Sequence, residues 1–294
     1  MGTVSIIEER LNRYAPETSE EEEDALKEIF QEIILNGLSD EKFFSEAIFQ
    51  GGTALRIFYN LGRFSEDLDF ILKKPNLQFN WQPYMNAIES VCKLYGIYPE
   101  IIDKSKKGTV VQKMFLKDNS IGKILNLAYK RNPEKKLTIK LEIDTNPPLG
   151  SQSEIKYLDF PLACPVETQD LSSNFSGKSH ALLCRKYTKG RDWYDFNWYI
   201  ARAILPNFQF LTNAINQTGP WAGQNIQVSS QWYLDALEEK IISMDWQAAI
   251  SDVEPFLKAR DKKNLGLWSS EFFLDRLAKL RKIILDNASD HIDY

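Results

Sequence analysis

Cysteine and histidine are scarce in this chain of 294 residues, and that scarcity narrows its chemistry. Cys92, Cys164 and Cys184 show no Cys-x-x-Cys spacing, so they suggest neither a disulfide framework nor a zinc site and read as small buried side chains. His180 and His291 are the two histidines, which leaves proton chemistry to carboxylates, lysine or tyrosine. No run reaches the roughly 18 to 20 apolar residues that a membrane span needs. The start, MGTVSIIEERLNRY, lacks the basic-then-apolar layout of a secretory signal. The expectation is a cytoplasmic protein with no membrane contact.

With 43% apolar, 12% aromatic and 26% charged residues, the composition is that of a globular protein and excludes disorder and collagen-like repeats. Its length predicts two packed units. The net charge of -5 hides an asymmetry: residues 1–46 carry 13 acidic and 4 basic side chains, whereas Glu100 to Lys140 carries 11 basic and 4 acidic. Such a basic stretch either decorates exposed hairpin edges or presents a face to a phosphate-rich partner.

Ser19-Glu-Glu-Glu22 matches a capping box ahead of Leu26, Ile29, Phe30, Ile33 and Ile34, which predicts a helix. A second helix is expected from Asp40 to just before Gly51, and a third from Thr53 to Leu61, closed by Gly62. Asp67 to Leu72 alternates as a strand. A helix from Pro83 to Tyr95 precedes four expected strands, Ile97 to Ile102, Thr109 to Leu116, Gly122 to Tyr129 and Leu137 to Ile143. From about Phe175 the pattern turns helical, with candidates at Lys178 to Lys186, Arg191 to Ile204, Phe208 to Asn216, Ser230 to Met244 and Ser270 to Asp286. The domain boundary is expected near residue 165, giving residues 1–165 and 166–294.

Asp67 and Asp69 stand two apart on a strand, so both leave one face while Leu68 and Phe70 enter the core. Two carboxylates held this close call for a proton, solvent or a divalent cation between them. By itself the pair is also what an exposed strand face looks like. The preceding Gly51-Gly52-Thr53 opens a helix, where glycines permit a tight turn and backbone N–H groups approach an anion. Thr53 is placed either to cap that helix or to hold a phosphate oxygen. Arg56 and Arg63 lie between the two motifs, and together these are the parts a triphosphate with its metal requires.

On Lys140-Leu-Glu-Ile-Asp144, both Glu142 and Asp144 share a polar face with Lys140. Either is a candidate third carboxylate, or the three form a surface ladder of charge. Glu142 is preferred because Asp144 lies at the strand's fraying end before Pro147-Pro148. Farther on, Lys178 and Arg185 share a helix face, and Asp192 and Asp195 are neighbours three apart. Lys178 is the candidate for gripping a triphosphate. Asp192 also suits a helix N-terminus, with Arg191 and Asp195 as a surface pair, and Trp193, Phe196 and Ile200 read as core.

Three stretches, FQGGTALRIFYNLGRFSEDLDFIL (Phe49 to Leu72), KLEID (Lys140 to Asp144) and GKSHALLCRKYTKGRDWYDF (Gly177 to Phe196), together resemble the AbiEii/AbiGii nucleotidyltransferase toxins. These are the enzymatic halves of bacterial type IV toxin–antitoxin and phage-defence systems. The resemblance implies an α+β fold, a polymerase-beta-like core with a mixed sheet followed by a helical C-terminal domain. It implies that Gly51, Gly52 and Thr53 contact a nucleoside triphosphate, and that Asp67 and Asp69, with Glu142 as third carboxylate, bind Mg2+ or Mn2+. Lys178 matches the family's essential lysine, and Asp192 lies in its Arg-Asp-x-x-Asp signature. Arg56, Arg63, Ser65, Arg185 and Lys189 are further candidates for the nucleotide site.

The expected reaction is transfer of a nucleoside monophosphate to RNA, with tRNA as the leading acceptor because some members of the family modify its acceptor end. An antitoxin encoded beside the gene is the expected partner. Alternatives are a small-molecule or protein acceptor, or a catalytically silent module that binds RNA or a partner through the same fold. No motif specifies the preferred nucleotide.

Overall fold

The computed structural model describes residues 3–106, 108–125, 127–129 and 135–289. His291 and three members of the basic stretch, Lys107, Lys130 and Arg131, lie outside them. The chain divides into two compact units, one formed by Met1–Asn60, Phe64–Pro147 and Glu154–Thr168, the other by Leu61–Arg63, Pro148–Ser153 and Gln169–Tyr294.

The first unit begins with α1 (Thr3–Tyr14) and α2 (Ser19–Asp40). The cap of α2 lies one residue earlier than the acidic run suggests. Thr18 Oγ1 accepts from the Glu21 N–H at 3.2 Å, while the Glu21 carboxylate accepts from the Glu17 N–H at 3.1 Å. Glu20, Glu21 and Glu22 then fill the first turn, where the helix dipole favours negative charge. Leu26, Ile29, Phe30, Ile33 and Ile34 are all fully buried. A Cβ on Gly37 would come within 3.0 Å of the Ile88 backbone, so α2 and α4 (Gln82–Leu94) meet backbone to backbone.

The helix expected from Asp40 to Gly51 is a short 3-10 turn, Phe43–Ser45, followed by strand β1 (Ala47–Gln50). Lys42 in the left-handed region breaks the run. The apolar residues that follow are buried on both faces of the strand, so they carry no period-two alternation to announce it. Next come α3 (Gly51–Tyr59), ended by left-handed Asn60 and not by Gly62, and β2 (Leu68–Leu72).

Beyond α4 lie β3 (Glu100–Asp103), β4 (Val111–Asp118), α5 (Ile121–Ile124), β5 (Leu137–Asp144), β6 (Ser153–Leu158) and β7 (Cys164–Gln169). Among the described residues, the strand expected over Gly122 to Tyr129 does not form. In its place α5 forms because the Asp118 carboxylate accepts from the Ile121 N–H at 2.8 Å and from the Ser120 hydroxyl at 2.5 Å. The strands make one mixed sheet in the order β3-β4-β5-β2-β1-β7-β6. β2 runs parallel to β5 and antiparallel to β1, and β4 pairs antiparallel with both β3 and β5.

The second unit is helical: α6 (Leu171–Cys184), α7 (Gly190–Ala201), α8 (Phe208–Gln217), α9 (Ser230–Ser243), α10 (Trp246–Val253), α11 (Ala259–Lys262) and α12 (Ser270–Ser289). Asp170, Asn207, Ser229 and Asp245 cap α6, α8, α9 and α10 with their side chains. Phe175 stacks on Tyr199 at 4.4 Å and Trp246 on Phe273 at 4.2 Å. Gly190 has no room for a side chain, since a Cβ would lie 1.8 Å from the Ala249 carbonyl oxygen. Among the described residues no helix is long and apolar enough to cross a membrane.

Candidate active site

The residues singled out from the sequence form two groups, one in each unit. In the first, Leu68 and Phe70 are buried while Asp67 and Asp69 stay partly exposed, as strand alternation requires. The parallel register sets Leu68 beside Leu141 and Asp69 beside Glu142. Lys140 therefore falls next to Asp67. Its ammonium lies 2.8 Å from Asp67 Oδ2 and 3.2 Å from Glu142 Oε2, and Lys113 reaches Glu142 Oε1 at 2.7 Å.

Burial alone would push the Glu142 carboxyl up, but Lys113 and Lys140 outweigh it and hold the group below its ordinary range. Burial likewise opposes the charge on Lys140, and the bonds to Asp67 and Glu142 overcome it. Asp144 pairs with Ile71 instead, accepts from the Asn146 N–H at 2.9 Å, and is raised by burial. Of the two candidate third carboxylates, Glu142 is the one opposite Asp69.

The glycine turn lies directly against this strand. Gly51 has φ +79° and a Cβ there would stand 2.9 Å from Asp69 Oδ2, so no other residue brings the start of α3 this close to the carboxylate. Thr53 is buried and its hydroxyl donates to the Asp67 carbonyl oxygen. Gln31, fully buried on α2, donates from Nε2 to the carbonyls of Ser65 and Glu66 at 2.9 and 2.8 Å. Three successive carbonyls leading into β2 are thus held by side chains from two helices. The sequence reading missed Gln31; its one signal is an amide set among the apolar positions of α2. Arg56 Nε donates to Glu28 Oε2 at 2.8 Å, and Glu28 also accepts from the Tyr14 hydroxyl at 3.0 Å.

In the second unit, Lys178 Nζ lies 2.7 Å from Asp192 Oδ1 and 2.9 Å from Asp195 Oδ2. Arg185 Nη1 approaches Asp192 Oδ2 at 3.0 Å, and Arg63 donates to both oxygens of Asp195. Burial disfavours charge on Asp192, yet Lys178, Arg185 and Lys189 prevail and bring its pKa down to about 2. Asp195 is lowered in the same way, burial being overcome by Arg63 and Lys178. Lys178 is held charged against burial by the two aspartates. Lys189 is shifted the other way, by burial and by nearby Lys178, Arg185 and Arg191, with Asp192 opposing. Asp195 is fully buried and so belongs to no surface pair; Arg191 lies 3.5 Å from Asp252 and its guanidinium sits 4.1 Å from the Phe256 ring centre.

Among the described residues, no group of three or more His, Cys, Asp or Glu side chains is gathered to hold a metal ion. In the first unit Asp67 and Glu142 close on the Lys140 ammonium.

The family model described as "Nucleotidyl transferase AbiEii toxin, Type IV TA system" matches residues 33–276. No curated protein sequence matches the chain. Solved structures that share its fold include JHP933 and MenT4. JHP933 from Helicobacter pylori is 19% identical with a TM-score of 0.51, over 91% of this chain and 95% of its own. MenT4, a nucleotidyltransferase toxin from Mycobacterium tuberculosis H37Rv, is 18% identical with a TM-score of 0.50, over 92% and 97%.

Proposed function

Because the chain belongs to the family of AbiEii nucleotidyltransferase toxins of type IV toxin–antitoxin systems, we propose that it transfers a nucleoside monophosphate from a nucleoside triphosphate to RNA, with tRNA as the acceptor. The observation that carries this reading is the contact of the Gly51 turn with Asp69. It sets the N-terminus of a helix, which attracts phosphate, beside carboxylates, which attract a divalent cation. Metal-bound triphosphate requires both within a few ångströms.

Asp67 and Asp69 offer hard oxygen donors from one partly exposed strand face, the donor type that Mg2+ or Mn2+ takes. A divalent ion bound there would neutralise the phosphates during transfer. Gly51 and Gly52 present backbone N–H groups to the triphosphate, and Thr53 fixes the backbone of Asp67 behind them. In the helical unit, Lys178 is kept charged by Asp192 and Asp195, with Arg185 also bonded to Asp192, and this basic cluster is suited to binding phosphate. The acceptor hydroxyl oxygen bonds to the α-phosphorus, the bond from that phosphorus to the bridging oxygen breaks, pyrophosphate leaves, and the hydroxyl proton passes to solvent.

Exposed Lys104, Lys106, Lys123, Lys135 and Lys136 favour a polyanionic acceptor over a small molecule. Membership of a type IV system implies an antitoxin partner, and we assign it to the adjacent gene. The test is incubation with each of the four α-labelled triphosphates, Mg2+ and total tRNA, beside an acceptor screen of protein and small molecules. Label on tRNA from wild type and none from Asp67→Asn is the expected result. Label that appears only on a protein or small molecule would replace the RNA acceptor, and none anywhere, with a known transferase active in parallel, would overturn the enzyme.

A further inference from the structure

We propose that Lys140 is a built-in counter-cation that stands where a second divalent ion would otherwise bind, so that the site works with one ion, on Asp67 and Asp69. This inference rests on the nucleotidyltransferase reading above. Three observations support it.

The first is register. Leu68 pairs with Leu141 and Asp69 with Glu142 in the parallel β2–β5 ladder, so the placement of Lys140 beside Asp67 is set by backbone pairing. The second is its reach. One ammonium spans carboxylates from two strands, at 2.8 Å to Asp67 Oδ2 and 3.2 Å to Glu142 Oε2. A bridging divalent ion would contact the same pair of oxygens, and the ammonium repels it from that place. The third is the state of Glu142, whose other oxygen is held by Lys113 at 2.7 Å. With both oxygens bonded to ammonium groups, Glu142 orients lysines. It does not ligate metal.

A lysine and a divalent ion supply different things. The ammonium contributes one fixed charge and directed N–H donors, without Lewis-acid coordination. Lys140 is therefore a positioning residue: it keeps the Asp67 carboxylate on the strand face and cancels part of the charge there. The single divalent ion is left to Asp67 and Asp69, next to the glycine turn.

The test counts Mn2+ bound to the full-length protein in the presence of a non-hydrolysable nucleoside triphosphate analogue, by equilibrium dialysis and by electron paramagnetic resonance. Wild type is expected to bind one Mn2+ per protein–nucleotide complex. Lys140→Met is expected to bind two, to lose about 100-fold in turnover at low Mn2+, and to regain turnover as the second ion fills. Lys140→Arg, which keeps the charge, is expected to hold the count at one and guards against a folding defect in the methionine variant. Two ions on active wild type, or full turnover of Lys140→Met with one ion, would overturn the assignment and leave the nucleotidyltransferase reading intact. No bound Mn2+ together with no nucleotide transfer would overturn both.

Discussion

Arg63 and Asp195 form a two-bond ion pair in the interior of the helical unit, with Arg63 Nε 2.7 Å from Oδ1 and Nη2 2.6 Å from Oδ2 of the carboxylate. Arg63 is 3% exposed and Asp195 is fully buried. A guanidinium so placed serves first as architecture. Removing one member of a buried pair leaves the other charge without compensation, which costs about 3–5 kcal/mol. Arg63→Met is expected to lower unfolding stability by that amount in urea titrations, and Arg63→Lys to recover little of it, because an ammonium cannot make the parallel pair of bonds.

Gly51 offers a test in which two effects separate. Gly51→Ala meets both a left-handed backbone and the Asp69 carboxylate 2.9 Å away, whereas Gly108 has φ +81° with nothing within 4 Å of an added Cβ. The backbone term alone is about 1–2 kcal/mol. Gly108→Ala is expected to lose that and keep nucleotide transfer, while Gly51→Ala loses more stability and, through the displaced carboxylate, at least ten-fold in turnover. Equal losses in the two variants, read by thermal melting and by transfer rate, would show that the close approach has no consequence.

Gln31 carries a similar prediction for a residue far from solvent. Gln31→Met keeps the volume and removes the donors to the Ser65 and Glu66 carbonyls. Leaving buried acceptors without partners costs about 1–3 kcal/mol. The strand entrance should loosen with it, so the Mn2+ concentration for half-maximal transfer is expected to rise while the triphosphate KM changes less.

Two aspartates shift the pH dependence of stability in opposite directions. Asp192 has a pKa near 2 in the folded protein, below the ordinary value of 3.8, because Lys178, Arg185 and Lys189 overcome its burial. A depressed value means the folded state holds the proton less tightly than the unfolded one. Its contribution, about 2 kcal/mol, is fully present above pH 3.8 and lost as pH falls towards 2. Asp24 has the opposite sign: burial first, then Glu66, Glu23 and Glu28, raise it to about 7 against the pull of Lys27. The folded state holds that proton more tightly, so stability declines as pH rises from 3.8 to about 7. Asp24→Asn is expected to flatten that decline and to gain stability at pH 8, while Asp192→Asn removes the acid-side loss. Urea midpoints measured from pH 2 to 8 check both.

Local periodicity revealed much of this fold and missed the rest for identifiable reasons. The apolar spacing of α9 and α12 and the alternation of β5 follow from one-sided burial. β1 is buried on both faces and lost that signal. β6 carries Ile155 and Tyr157 on its exposed side, so these two apolar residues do not mark the core. α5 is specified by a carboxylate three residues upstream, and a β-branched and apolar run reads as a strand unless that cap is weighed.

At the candidate site, the shared face of Asp67 and Asp69 was legible because it depends on neighbours in sequence. The bridge from Lys140 to Asp67 was not, because it depends on how two distant strands pair. The same holds for Gln31, whose partners lie more than thirty residues away.

The parallel alignment of β2 with β5 has a consequence for how the protein tolerates change. Which side chain stands next to Asp69 is encoded as a parity: sliding β5 by one residue exchanges Glu142 for Leu141 or Ile143 and turns Lys140 to the opposite surface. Lengthening the connection between β4 and β5 leaves that parity untouched, whereas deleting a single residue inside β5 inverts it. Gene variants with altered loop lengths should therefore keep the charge arrangement, and single-residue losses in the strand should erase it at one stroke.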